Sequence, residues 1–223
     1  MGYYRAGFEV VGVDHKPMPR YPFEFHQADA LEYLLEHGQE FDAIHASPPC
    51  QRYSVMTRGR WQDRLDKHPD LIDKTRKLLI ETNKPYIIEN VSGAKNLLIN
   101  PIMLCGTMFG LQTRYGSQLR RHRYFELSWG QVWTPPCNHN KASSIGVYGG
   151  GQNPSRKRLP ATVEVYGHAG GASTRDGLIQ FGTQDRRDAM GIDWMTGEEL
   201  SEAIPPAYTE YIGRHLIAIL EEK

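Results

Sequence analysis

The sequence predicts an α/β fold, a mostly parallel sheet with helices on both faces, carrying a small irregular β-rich region. Three observations lead there. Short apolar runs that end in polar residues alternate with amphipathic helical runs up to residue 91. Beyond about residue 126 the texture changes, and residues 127–183 are rich in Gly, Pro, Ser, Thr and aromatics. Helical patterns then return at residues 185–190 and 208–221. The expected organisation is a core at 1–126, an inserted β-rich region at 127–183, and helices completing the core at 184–223.

The elements follow in chain order. Residues 8–14 (FEVVGVD) read as a short buried strand ending in an acid. Residues 28–37 (ADALEYLLEH) place Leu31, Leu34 and Leu35 at helical spacing, and Gly38 ends the run. Residues 41–46 (FDAIHA) form a second strand, halted by Pro48-Pro49. Residues 66–83 are a helix with Leu71, Leu78 and Leu79 on its apolar face, and residues 85–91 (PYIIENV) a third strand. Ligands of open α/β sheets sit beyond the carboxyl ends of the strands. Asp14, residues 47–51 and Glu89-Asn90 all fall there. Downstream, residues 145–148 and 162–166 are strand-like. Val147-Tyr148-Gly149 and Val165-Tyr166-Gly167 echo each other, as two similar strand ends would.

A chain of 223 residues with 39% hydrophobic content is one domain, or one core plus an appendage. This composition excludes disorder and collagen-like repeats. No run approaches the roughly 20 apolar residues of a membrane span, and residues 1–5 (MGYYR) lack an apolar signal core. The three cysteines, Cys50, Cys105 and Cys137, are odd in number and widely spaced, so a reducing, cytoplasmic setting is expected. Lys+Arg and Asp+Glu each number 26, a balance that by itself argues against nucleic acid. The distribution reverses that inference. Residues 113–160 hold eight Lys/Arg against Glu126 alone, a net +7, while residues 161–223 are net −6 and residues 1–112 net −1. The basic block could follow a phosphate backbone.

Three constellations carry chemistry. Ser47-Pro48-Pro49-Cys50-Gln51 follows a strand directly, and the tandem prolines hold a thiol at the sheet's edge. A thiol there can act as a nucleophile where its surroundings favour thiolate. Glu89 ends an apolar strand, where a carboxylate is costly to bury without a partner or a task. As an acid it could donate to a ring nitrogen; alone it reads more readily as a helix cap or a salt-bridge residue. Arg121-His122-Arg123 places two arginines at i, i+2 on one face of a strand, where both can point into one pocket; alone, the triplet reads more readily as an exposed edge strand with solvated charges. Cys137-Asn138-His139, with Cys105 and His122 distant in sequence, falls short of a zinc signature, so no metal is expected.

Pro49-Cys50-Gln51, Glu89-Asn90-Val91 and Arg121-x-Arg123, in this order, resemble the motifs of the DNA cytosine-5 methyltransferase family. Residues 7–14 (GFEVVGVD) resemble its second motif and Gln27-Ala28-Asp29-Ala30 its third. Residues 185–191 (DRRDAMG) followed by 203–208 (AIPPAY) resemble its closing motifs. The likeness runs along nearly the whole chain. It implies a Rossmann-like S-adenosylmethionine-dependent methyltransferase sheet, with residues 127–183 as the target-recognition region. The implied substrate is double-stranded DNA, the implied cofactor S-adenosyl-L-methionine, and the setting a phage or restriction-modification type of system.

The resemblance also assigns roles. Cys50 would add to C6 of a flipped-out cytosine, Glu89 would hold N3, and Arg123 with Arg121 beside it would hold the base O2. Asp14, His15, Asp29, Ala30 and Pro49 would line the cofactor site. Residues 52–64 (RYSVMTRGRWQDR), with four arginines, would close over the base. Gln51, Arg52, Ser54, Arg58, Arg60 and Arg187 would contact nucleic acid. RNA would serve the same chemistry. A pyrimidine-nucleotide enzyme of the thymidylate-synthase kind also uses a Pro-Cys thiol, but gives no role to Glu89-Asn90-Val91 or to a variable β region.

One departure shapes the expectation. The family opens with a strand and a Gly-rich turn of the form DLF-x-G-x-GG, and here Met1-Gly2-Tyr3-Tyr4 stands where the next helix would be under way. The chain is then expected to be a monomer lacking its first strand, or to receive that strand from a partner. The alternative function is a catalytically impaired DNA-binding fragment or a split-enzyme subunit.

Overall fold

The computed structural model describes residues 1–49, 70–139, 144–149, 162–167 and 182–222. The described chain forms two compact units that interleave along the sequence. One comprises Met1–Gly7, Cys105–Arg121 and Pro135–Gly213; the other comprises Phe8–Leu104, His122–Thr134 and Arg214–Lys223. The elements in chain order are α1 (Gly2–Arg5), β1 (Val11–Asp14), β2 (Glu24–Gln27), α2 (Ala30–His37), β3 (Ile44–Ala46), α3 (Ile72–Glu81), β4 (Tyr86–Asn90), β5 (Ile102–Leu104), β6 (Gln118–Leu119), β7 (Arg123–Leu127), β8 (Ser144–Gly149), β9 (Thr162–Gly167), α4 (Thr183–Met190), α5 (Gly197–Glu202) and α6 (Pro206–Glu221). No described helix is long and apolar enough to cross a membrane. The mixed α/β class expected from the sequence is what forms.

The unit containing β1 to β5 and β7 holds two sheets. β1 and β2 form a parallel pair, with Asp14 opposite Gln27. The second sheet has the order β3-β4-β7-β5. β3 and β4 are parallel, but β7 runs antiparallel to both β4 and β5. The sheet is therefore mixed rather than mostly parallel. The physical reason lies in the connections. A parallel neighbour needs a crossover, which α3 supplies between β3 and β4. Between β5 and β7 no α-helix intervenes, and β7 enters antiparallel to both of its neighbours. Among the described residues, β1 pairs with β2 only and β3 with β4 only.

Strand alternation divides the larger sheet into two faces. Ile44, Ala46, Tyr86, Ile88 and Tyr124 share the face that packs on α3, where Ile72 and Leu79 are fully buried. Ile72, Thr75, Arg76 and Leu79 follow one side of that helix at helical spacing. His45, Ile87, Glu89, Arg123 and Phe125 project from the opposite face, and the His45 and Phe125 rings meet edge to face at 6.2 Å. Asp29 starts α2 by accepting the backbone N–H groups of Leu31 and Glu32 at 2.8 and 3.1 Å.

In the other unit β6, β8 and β9 form a parallel sheet. Its core gathers Leu119, Ile145, Ala189, Met190, Ile192 and Leu200. The two Val-Tyr-Gly triplets prove to be facing segments in register, Val147 with Val165, Tyr148 with Tyr166 and Gly149 with Gly167. Thr196 and Glu199 cap α5 reciprocally, and Gly191 ends α4 at a φ of 67° that suits glycine.

Candidate active site at the strand ends

β4 delivers two polar residues at its carboxyl end, Glu89 and Asn90, both buried. Glu89 lies opposite Phe125 in the β4–β7 register. Its diagonal neighbour is then Arg123, two residues earlier on β7 and on the same face. The geometry realises that pairing: Arg123 Nε lies 3.0 Å from Glu89 Oε1 in an ion pair almost wholly withdrawn from water. The guanidinium is further aligned by Nη1, which donates to the His122 carbonyl at 3.0 Å. Such a pair keeps the carboxyl oxygens in one plane and supplies positive charge beside them.

Asn90 fixes the neighbouring strand end. Its Nδ2 donates to the Pro48 carbonyl at 3.0 Å, and its Oδ1 accepts the Val91 N–H at 2.9 Å. The prolines that follow β3 are thereby tied to the end of β4, with Pro48 buried and Pro49 exposed. Cys50, Gln51, Arg52, Ser54, Arg58 and Arg60 lie outside the described residues.

β3 also contributes His45, which sequence reasoning passed over. Its Nε2 lies 3.3 Å from Ser47 Oγ, and burial pushes its pKa down from 6.5 to about 4. The imidazole is therefore neutral at physiological pH and acts there as a hydrogen-bonding group. The signal was present in the sequence: His45 shares strand parity with no polar neighbour in Phe41 to Ala46, so it had to face either a partner or the site.

Arg121 departs from expectation. β7 begins at Arg123, so the two arginines do not share a strand face. Arg121 is 1% exposed and donates through Nη2 to the carbonyls of Ser201 at 2.7 Å and Ala203 at 2.9 Å. Its own carbonyl accepts from the Tyr208 hydroxyl at 2.6 Å. Its guanidinium thus closes the end of α5 in the unit that Arg123 does not belong to. Arg187 likewise serves local structure, donating through Nε to Met195 O at 2.9 Å.

Of the residues expected to hold the cofactor, Asp14, His15, Asp29 and Ala30 lie at or just past the ends of β1 and β2, while Pro49 follows β3. Asp14 ends β1, its Oδ1 accepting the Lys16 N–H at 2.8 Å and lying 3.1 Å from His15 Nδ1. The Asp14 backbone accepts the Ala28 N–H at 3.1 Å, and Gln27 Nε2 donates to the His15 carbonyl at 3.1 Å. Asp29 and Ala30 follow at the start of α2. Asp14 is half exposed and presents a carboxylate at a sheet edge, chemistry that fits the vicinal hydroxyls of a ribose. Asp29 spends one oxygen on the helix cap, so capping accounts for part of its placement.

A second cluster, which sequence spacing did not predict, lies in the other unit. Cys105, Cys137 and His139 bring their ligand atoms together, with His139 Nε2 at 3.3 Å from Cys105 Sγ and 3.1 Å from Cys137 Sγ.

No protein-family model and no curated protein matches this chain.

Proposed function

We propose that this protein is a DNA cytosine-5 methyltransferase that works through a covalent adduct between Cys50 and C6 of a flipped-out cytosine. The observation that carries the reading is the convergence at the ends of β3 and β4. Asn90 ties the Pro48 carbonyl, two residues before Cys50, to the strand that delivers Glu89, and Arg123 pairs with Glu89 from β7. Motifs far apart in sequence thus meet at one sheet edge, where α/β proteins place their ligands.

Cytosine C5 is a poor nucleophile in the aromatic ring. Addition of the Cys50 thiolate at C6 breaks that aromaticity and leaves C5 enamine-like. Glu89, positioned by Arg123 and protonated when the base is bound, would donate its proton toward N3 while its other oxygen accepts from the exocyclic amine, so that the charge moving to N3 as the C6–S bond forms is neutralised. S-adenosyl-L-methionine supplies an electrophilic methyl group to C5. Loss of the C5 proton then restores the C5–C6 double bond and expels the thiolate. Asp14 would hold the ribose of the cofactor, with Asp29 close to its adenine. The basic run at 113–160 would meet the phosphate backbone.

A second reading has its own support. β1 and β3 each pair on one side only among the described residues. A strand added between them would join the two sheets of this unit into one, as the family's opening strand would. Under this reading the chain is one part of a split enzyme or an impaired DNA-binding fragment.

One experiment separates these outcomes. An oligonucleotide carrying 5-fluorocytosine cannot lose fluorine from C5, so the adduct persists and migrates as a denaturation-resistant complex. With S-adenosylmethionine present, wild type is expected to form it and Cys50→Ser is not. An adduct only from a chain extended upstream by a DLF-x-G-x-GG segment supports the second reading. No adduct from that extended chain overturns the catalytic one.

A further inference from the structure

We infer that Cys105, Cys137 and His139 form a structural zinc site that clasps the two places, at Cys105 and Pro135, where the chain enters one unit. All three residues belong to that unit. Cys105 begins its segment Cys105–Arg121; Cys137 and His139 lie just after the chain returns at Pro135. Their ligand atoms lie within 4.8 Å of one another. A tetrahedral zinc with Zn–S near 2.3 Å and Zn–N near 2.0 Å separates sulfur from nitrogen by roughly 3.5 Å. The two sulfur-to-nitrogen distances, 3.3 and 3.1 Å, need only a few tenths of an ångström of spreading to accept the ion.

The donor set points to the metal class. Two thiols and an imidazole are soft to borderline ligands that favour zinc over magnesium or calcium. Thr107 supplies the outer shell. Its hydroxyl donates to Cys105 Sγ at 3.3 Å and lies 3.6 Å from Cys137 Sγ, so its one proton can stabilise a thiolate at Cys105. Cys105 is fully buried, Cys137 half-buried and His139 exposed, a gradient that gives the ion an entry path while shielding its bond to Cys105. Apolar packing alone has no reason to set an imidazole nitrogen against two sulfurs. Water can complete the tetrahedron at the fourth position. Residues 131–139 have no regular secondary structure, and a metal clasp is a way to order such a segment. This inference does not depend on the methyltransferase reading.

The test uses the full chain purified without chelator. Elemental analysis is expected to give one zinc per chain. Chelation should lower the melting temperature, and added zinc should restore it. Cobalt in place of zinc should show the intense visible bands of a tetrahedral ion together with a near-ultraviolet thiolate-to-cobalt band. Cys137→Ser and His139→Asn, both away from the buried core, should lose stoichiometric metal, and Thr107→Val should weaken zinc binding by about 10-fold. Because Cys105→Ser could fail to fold, those outer variants keep the test decisive. A folded wild-type chain that binds no stoichiometric zinc and gives no thiolate-to-cobalt band overturns the site. So does a Cys105–Cys137 disulfide found by mass spectrometry in reduced-purified protein, or an unaltered cobalt spectrum in Cys137→Ser.

Discussion

Two glutamates on neighbouring strands, each paired with an arginine, have opposite jobs. Glu126 of β7 projects onto the α3 face and is saturated. Arg76 Nε and Nη2 donate to its two oxygens at 2.8 Å each, Ile99 N–H adds 2.8 Å, and Tyr86 OH reaches it at 3.4 Å. Arg76 also donates to the Leu97 carbonyl at 2.6 Å, so the cluster ties α3, β4, β7 and the Leu97–Ile99 segment together. Glu89 of β4 projects from the other face and meets Arg123 Nε at 3.0 Å. The contrast teaches how a buried charge is assigned. One that is ringed by backbone and side-chain donors from several elements is structural. One that pairs within a sheet face at a strand end stands where α/β proteins place their ligands.

The largest expected effect tests the structural half. Glu126→Ala leaves the Arg76 guanidinium buried without its bidentate partner and should cost about 3–5 kcal/mol in chemical denaturation. The double change Arg76→Met with Glu126→Leu should recover much of that loss, because it removes both charges at once. Glu89→Gln tests the other half. It should reduce methyl transfer by roughly 10²–10⁴-fold while costing less stability than Glu126→Ala. Equal destabilisation by the two changes, with transfer unaffected by Glu89→Gln, would erase the distinction.

The smallest effect concerns His45, which shares the face of Glu89. Its pKa is pushed down to about 4 in the fold, against 6.5 for an ordinary imidazole. The unfolded chain therefore takes up the proton first as pH falls. Stability should be fully present above pH 6.5 and decline between pH 6.5 and 4, by up to about 3 kcal/mol. Denaturation curves of His45→Gln should lose this component of the pH dependence. An unchanged acid slope in that variant would place the titrating group elsewhere.

What was legible in the sequence was local. β1, β3, β4, α2 and α3 were signalled by apolar runs and periodicity, and Glu89 and Asn90 by their position at the end of one such run. β2, β5 and β6 were not, because each is two to four residues long and owes its existence to a partner strand. The antiparallel entry of β7 was equally hidden, since pairing direction is decided by connections and not by composition. Arg121 and Arg123 share a face only if one strand contains both, and the chain passes from one unit to the other between them. The Cys137-x-His139 spacing was visible, but Cys105 stands 34 residues before His139, and only tertiary folding brings them together.

The register of β4 against β7 has a consequence for how this sequence can vary over generations. Phe125 faces Glu89 and Glu126 faces Ile88, so adjacent β7 positions serve opposite sides of the sheet. Inserting or deleting one residue between Arg123 and Glu126 would reverse the face of one of them, whichever lies on the side that loses register. Substitutions in β7 can be absorbed one at a time, whereas a change of length there disrupts the scaffold or the candidate site. Length variation among descendants of this chain should therefore collect outside β7.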